Sequence, residues 1–152
     1  MIKKITALLF GITALTSLYG QVEHPVKWAY GTKKLSTNTY EVHLKATLKN
    51  GWHLYSQKQP ENSVSTPTSF KFKTVNGLTL VGKVKEIGKP IDFEDANSGL
   101  GAKEYANTVD FVQIIKVKNG STSSVSGTIN FQVCTDHKCL QPDSINFIVP
   151  IK

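Results

Sequence analysis

The 152-residue sequence contains no arginine, and its 18 basic residues are all lysine. The lysines are scattered and often alternate with apolar residues, which is typical of the solvent-facing side of β-strands. Nucleic-acid recognition normally uses arginine for bidentate contacts to phosphates and bases. The absence of arginine therefore argues against a nucleic-acid partner.

Long hydrophobic runs are missing beyond the N-terminus. Two lysines precede an apolar stretch from Ile5 to about Leu18. This stretch is shorter than the roughly 20 residues of a bilayer span, so it predicts a cleaved secretory signal peptide over residues 1–20, with an uncleaved anchor as the alternative. We expect residues 21–152 to form one soluble domain, with 16 lysines against 11 acidic residues and hence a net charge of +5.

A helical pattern of apolar residues is also absent after residue 20, and period-two alternation takes its place. One apolar row consists of Tyr40, Val42, Leu44, Ala46 and Leu48, with polar residues between them. This pattern predicts a half-buried strand. About seven to nine such short segments, separated by turn residues, predict an all-β, immunoglobulin-like β-sandwich.

Two segments do not show the strand pattern. Residues 58–68 are polar and contain two prolines, and residues 92–105 are glycine-rich with an acidic start. We expect both to be surface loops. Long loops in compact domains are often functional, although ordinary connections are the alternative.

Cysteine is scarce, since Cys134 and Cys139 are the only two in the sequence. Ile129, Phe131 and Val133 form an apolar row, which puts Cys134 on the opposite, more polar face of its strand. The four residues "TDHK" between the cysteines have the length of a hairpin loop. Residues that face each other across such a loop lie close enough for a disulfide.

Three interpretations of this pair remain open on the residues alone. A structural disulfide closing a ring of roughly six residues contributes about 2 kcal/mol by loop entropy. A zinc site could use both cysteines with His137 and His53, but the spacing matches no common zinc motif.

The third interpretation is a reversible dithiol/disulfide that exchanges with other proteins. His137 and Lys138 adjoin the pair and favour the thiolate, whereas Asp136 opposes it. Which of these effects dominates is not decided by the sequence.

Two segments carry a family resemblance. "FQVCTDHKCLQPDSINFIVPI" near the C-terminus, together with "NGWHLYSQKQPENSVSTPTSFKF", resembles the N-terminal periplasmic domain of DsbD-type thiol:disulfide interchange proteins. The resemblance spans essentially the whole chain after residue 20. It implies a periplasmic immunoglobulin-like sandwich whose cysteines pass electrons from a membrane-embedded partner to thioredoxin-like proteins.

The resemblance also implies roles for individual residues. Cys139 would attack partner proteins and Cys134 would resolve the mixed disulfide. Tyr55 matches a family tyrosine placed near the cysteines, with a core aromatic as the alternative reading.

A cap loop that covers the disulfide is a further family feature. Its acidic start matches Glu94 and Asp95, and two later positions match Gly99 and Tyr105. The family's shielding aromatic ring is missing here, because Asn97, Ser98 and Leu100 occupy that stretch. Leu100 or Phe93 would have to substitute for it.

We expect the protein to act without the membrane domain and the C-terminal thioredoxin domain of family members with full electron transport. We therefore expect a monomer that acts as a protein-disulfide reductase with a membrane-embedded donor in trans, without cofactor or metal. The alternative from a different class is a secreted β-sandwich binding or adaptor module with a structural disulfide. A redox titration separates the two, because structural disulfides usually lie below about −300 mV.

Overall fold

The computed structural model describes residues 23–95, 97–118 and 121–152. The predicted signal peptide lies outside these residues. Within the described ranges the chain is all β, and no helix capable of crossing a membrane is found there. Its strands are β1 (Val26–Ser36), β2 (Thr39–Leu48), β3 (His53–Tyr55), β4 (Ser69–Phe72), β5 (Leu78–Ile87), β6 (Ile91–Glu94), β7 (Gly101–Ala106), β8 (Thr108–Val117), β9 (Ser124–Phe131), β10 (Val133–Cys134) and β11 (Asp143–Pro150).

The strands form three antiparallel sheets that pack as a sandwich. The first sheet has the order β1-β2-β8-β5, the second β10-β3-β7-β6 and the third β11-β9-β4. One apolar cluster contains residues of all three sheets, among them Leu44, Leu54 and Ile129. The predicted all-β sandwich is confirmed.

The first sheet shows how the alternation of the sequence becomes a core. In β2, Val42, Leu44 and Ala46 are fully buried, while Lys45 between them is exposed. Successive side chains of a strand point to opposite faces, so every second residue is removed from water. Burial of apolar side chains stabilises the fold by about 1.5–3 kcal/mol for each large one.

The two predicted loops have different outcomes. Residues 58–68 contain no strand, as expected. The prediction for residues 92–105 is wrong, because most of this segment belongs to β6 and β7. All residues of β6 are exposed, so this edge strand has no buried row that alternation could reveal. Strands of two to four residues, such as β3, β6 and β10, also explain why the count of seven to nine was too low.

The second sheet has one face on the core and one facing away from it. Leu54 pairs with Val133 on one side and with Tyr105 on the other, and all three belong to the main core. The neighbouring positions His53 and Cys134 also pair with each other. Because side chains alternate, they lie on the outer face of the sheet.

Candidate functional site

Cys134 and Cys139 form a disulfide at the edge of the second sheet. The two residues make an antiparallel bridge, and their Cα atoms are 4.0 Å apart. The four-residue turn between them is closed by a hydrogen bond from the Thr135 amide to the Lys138 carbonyl, at 2.7 Å. The predicted facing arrangement of the two cysteines is therefore confirmed, since their Cα–Cα distance is well below the limit of about 7 Å for a disulfide.

The two sulfurs differ in their surroundings. Cys139 is exposed, whereas Cys134 is 1% exposed and packs with Tyr55 and Ala102 in a small cluster outside the main core. The alternation of apolar residues identified the correct face of the strand, but this face does not leave Cys134 exposed to solvent, as a more polar face would suggest. Alternation along a strand indicates which face a side chain occupies, but it does not indicate which residues of other segments cover that face.

Tyr55 contacts the disulfide directly. Its hydroxyl donates a hydrogen bond to Cys134 Sγ at 3.2 Å and lies 3.8 Å from Cys139 Sγ. Thr68 Oγ1 donates to the Tyr55 carbonyl at 2.6 Å, which anchors this end of β3. The tyrosine thus lies beside the cysteines and outside the main core cluster; its part in exchange stays a prediction.

A histidine–carboxylate pair lies on the same outer face. His53 Nε2 is 3.2 Å from Glu104 Oε2, and the two side chains are only 12% and 13% exposed. Burial lowers the pKa of His53, an effect that the nearby charge of Asp136 opposes. Burial, followed by the charge of Asp136, raises the pKa of Glu104.

The sequence suggested His53 only as a zinc ligand and gave no indication of Glu104. The signal that could have found Glu104 is the alternation of Ala102, Glu104 and Ala106 in β7, which the loop interpretation of residues 92–105 concealed. In the described part of the chain, no group of three or more His, Cys, Asp or Glu side chains is gathered as a metal site.

A cleft of about 320 Å³ opens on this outer face. The predicted cap residues Phe93, Asp95 and Leu100 line it from one side, and Thr135 and Asp136 line it from the cysteine turn. Phe93 is 53% exposed and Leu100 38% exposed. An apolar surface with an acidic margin therefore lies beside the disulfide.

The turn that connects β6 to β7 is held by Asp95. Its Oδ1 accepts hydrogen bonds from the amides of Asn97 and Ser98 and from the Ser98 hydroxyl. These bonds, led by the one from the Ser98 amide, lower the pKa of Asp95. Gly99 has a φ of 67°, which a glycine adopts without strain. Asp95 therefore has a visible structural task at the acidic start of the predicted cap.

Glu94, the other predicted acidic residue, is placed differently. It is exposed and lines a separate depression with Pro60 and Asn62. The structure therefore does not bring Glu94 to the cleft that Asp95 lines.

The two basic neighbours of the cysteines point to different surroundings. His137 is exposed. Lys138 Nζ lies 2.6 Å from Glu23 Oε2 and 5.4 Å from the centre of the Trp52 ring. The expected help of Lys138 to a Cys139 thiolate stays a prediction, and its ion pair with Glu23 weakens the argument for it.

A comparison with known protein families identifies the family of this chain. Residues 24–149 match the family model "Thiol:disulfide interchange protein DsbD, N-terminal". No curated protein sequence matches the chain significantly.

Solved structures with a similar fold share little sequence with this chain. The N-terminal periplasmic domain of ScsB from Proteus mirabilis is 19% identical with a TM-score of 0.51, and the match covers 80% of this chain but only 44% of that one. The reduced DsbD N-terminal domain of Neisseria meningitidis is 14% identical with a TM-score of 0.51, covering 81% and 84%. The GAE domain of yeast GGA1 is 8% identical with a TM-score of 0.50, covering 85% and 95%.

These structural likenesses show the fold, which is immunoglobulin-like as predicted. Family membership rests on the family model, which spans most of the chain and includes both cysteines. The chain belongs to the DsbD N-terminal family of thiol:disulfide interchange proteins.

Proposed function

We propose that this protein performs thiol:disulfide interchange in the periplasm, passing electrons from a membrane-embedded donor to thioredoxin-like proteins through a reversible Cys134–Cys139 disulfide. The observation that carries the proposal is the asymmetry of the pair, with Cys139 exposed and Cys134 buried, its Sγ accepting a hydrogen bond from the Tyr55 hydroxyl. The family is periplasmic and interacts with thioredoxin-like proteins in general, which supports the proposed compartment and partners.

The exchange follows from this asymmetry. In the reduced protein, the Cys139 thiolate attacks one sulfur of a partner disulfide, forming a mixed disulfide and releasing the other partner sulfur as a thiolate. Cys134 then attacks Cys139 Sγ, which re-forms the internal disulfide and releases the second partner thiolate. Two electrons pass to the partner, and a membrane-embedded dithiol restores the reduced state. We propose that a monomer suffices, since one chain supplies all of these groups.

Tyr55 suits the reduced state of this cycle. A hydroxyl that donates a hydrogen bond stabilises a thiolate more than it stabilises a neutral sulfur. The Tyr55 hydroxyl lies nearer to Cys134 than to Cys139, at 3.2 against 3.8 Å. It would therefore favour the ionised form of the resolving cysteine in particular.

Phe93 of β6 and the described residues between β6 and β7 are proposed to act as the cap. Phe93 and Leu100 supply apolar surface on the cleft beside the disulfide, and Asp95 holds the turn that presents Leu100. Both apolar side chains are substantially exposed. We propose that they contact the apolar rim of a partner's redox site as it approaches Cys139.

Two measurements test the proposed function. In a titration against glutathione, an exchanging pair equilibrates above about −300 mV, whereas a purely structural disulfide stays oxidised to lower potentials. Incubation of Cys134→Ser with an oxidised thioredoxin-fold protein should trap a mixed disulfide through Cys139, and Cys139→Ser should trap little. A potential below that limit, together with no adduct from either variant, would favour the binding module with a structural disulfide.

A further inference from the structure

We propose that His53 accepts the proton of the Cys134 thiol as this cysteine resolves the mixed disulfide, and that Glu104 orients the imidazole. The inference rests on the proposed exchange function and assigns two residues to its second step. It concerns the reduced protein, because in the disulfide form Cys134 carries no proton.

The strand register brings the histidine to the cysteine. His53 of β3 lies directly opposite Cys134 of β10. Residues in facing positions of antiparallel strands have Cβ atoms about 4.5–5.5 Å apart on the same face of the sheet. The His53 ring also packs edge-on against the ring of Tyr55, with centroids 5.6 Å apart, and the Tyr55 hydroxyl reaches Cys134 Sγ. The register therefore places the imidazole and the resolving sulfur at facing positions on the same face of the sheet.

The position of Glu104 bears on which ring nitrogen of His53 can act as the base. Glu104 Oε2 lies 3.2 Å from His53 Nε2, so the carboxylate favours the tautomer that carries its hydrogen on this nitrogen. A neutral imidazole with hydrogen on Nε2 has its lone pair on Nδ1, which can accept a proton. Nucleophile, base and orienting carboxylate in this order are the arrangement that activates cysteine in other enzymes.

The surrounding charges suit a base that changes its protonation during the reaction. The groups that face His53 are Glu104 on β7, Asp136 on the cysteine turn and the Tyr55 hydroxyl on its own strand, and Asp95 lines the same cleft. Burial lowers the pKa of His53, so the ring is neutral near pH 7 and ready to accept. The charge of Asp136 then stabilises the imidazolium once it has formed.

The step balances in atoms and charge. The proton of the Cys134 thiol moves to His53 Nδ1, leaving a thiolate and an imidazolium. The thiolate attacks Cys139 Sγ, so the Cys134–Cys139 bond forms and the bond from Cys139 to the partner sulfur breaks. The partner sulfur leaves with the electron pair, and the imidazolium returns its proton to that thiolate or to water.

Resolution can be timed with 5,5′-dithiobis(2-nitrobenzoate) as a model disulfide. The reduced protein releases one coloured thiolate when Cys139 attacks the reagent and a second when Cys134 resolves the adduct. The first phase depends on reagent concentration, whereas the second is intramolecular and does not. Stopped-flow absorbance over a range of pH gives the rate constant of the second phase.

The chain offers a matched control for His53. His43 on β2 lies 2.8 Å from Asp110 through Nδ1 and is also partly buried, but it belongs to the first sheet, away from the disulfide. We compare His53→Gln, Glu104→Gln and His43→Gln, and thermal unfolding identifies any variant that no longer folds. The pH profile of the unmodified protein provides a readout that needs no substitution.

We expect His53→Gln to slow the second phase at pH 7 by about tenfold, which is less than the usual contribution of a general base because a thiol also ionises unaided. Glu104→Gln should slow it less, and His43→Gln should leave it unchanged. In the unmodified protein, the rate constant of the second phase should fall as pH drops below about 6.5. In His53→Gln this fall should begin at a higher pH, near the pKa of about 8.5 of a free thiol. An unchanged rate and pH profile in His53→Gln, or equal slowing by His43→Gln, would overturn the inference while leaving the exchange function intact. Absence of a second phase in the native protein would instead reject the exchange function.

Discussion

The two faces of the second sheet use the same strands for different purposes. On the inner face, Leu54 and Val133 are almost completely buried within the main core. On the outer face, the alternate positions His53, Tyr55 and Cys134 bring a titratable ring, a hydroxyl and a sulfur together. The inner face holds the strands in register, and that register sets the distances between reactive groups on the outer face.

The comparison also shows that burial does not separate the two faces. Cys134 on the outer face is as buried as Val133 on the inner one, at 1% and 4% exposure. They differ in their neighbours, since Cys134 has a hydrogen-bonding partner in Tyr55. Changes on the inner face should therefore alter stability, and changes on the outer face should alter reactivity.

The largest expected effect is complete loss of exchange in Cys139→Ser with the fold retained. The substitution removes the sulfur of the exposed cysteine, while opening the small disulfide ring costs only about 2 kcal/mol by loop entropy. Insulin reduction by the chemically reduced protein measures exchange, and thermal unfolding followed by circular dichroism measures the fold. Loss of cooperative unfolding in this variant would show that the disulfide is a structural element after all.

On the inner face, Leu54→Ala should destabilise the protein by about 2–5 kcal/mol, because it leaves a cavity where a fully buried side chain packs. Urea unfolding gives the free energy. Protein that remains folded should exchange at the native rate, since no group on the outer face has changed. Slower exchange without lost stability would mean that the two faces are not separable in this way.

Tyr55→Phe should change reactivity more than stability. Loss of one hydrogen bond costs about 0.5–1.5 kcal/mol. We expect this cost to fall mainly on the reduced protein, so the equilibrium constant with glutathione should shift toward the disulfide by up to about tenfold. Mass spectrometry of alkylated protein in glutathione buffers gives this equilibrium. Thr68→Val is the control, because it removes the hydroxyl bonded to the Tyr55 carbonyl and leaves the tyrosine hydroxyl in place. An equal shift in both variants would indicate a general disturbance of β3.

Alternation in the sequence predicted most of this architecture. Long strands with one buried row, such as β2, could be recognised because period two is a direct consequence of burying one face. Cys134 and Cys139 could be paired because a four-residue turn limits where its ends can lie. The resemblance placed Tyr55 beside them.

What could not be predicted depends on contacts between distant segments. The burial of Cys134 comes from Tyr55 and Ala102, which lie 79 and 32 positions away in the sequence. The pair of His53 and Glu104 requires the register of β3 with β7, and β7 was hidden within a segment interpreted as a loop. No local pattern reports either contact.

The smallest expected effect is a pH-dependent change of stability through Glu104. Burial and the charge of Asp136 raise the pKa of Glu104 in the folded protein above its unfolded value near 4.5. At a pH between these two pKa values, the unfolded chain has lost the Glu104 proton and the folded chain still holds it. The native free energy of unfolding therefore loses a contribution as pH rises through this window. His53, whose pKa is lowered in the folded protein, acts in the opposite sense, because its contribution to the free energy of unfolding is lost as pH falls below about 6.5. Glu104→Gln removes the first contribution, so between about pH 4.5 and 6 its stability relative to the native protein should increase as pH rises. Urea unfolding of both proteins across this range measures the difference, and a difference that is constant with pH would mean that Glu104 titrates alike in the folded and unfolded chains.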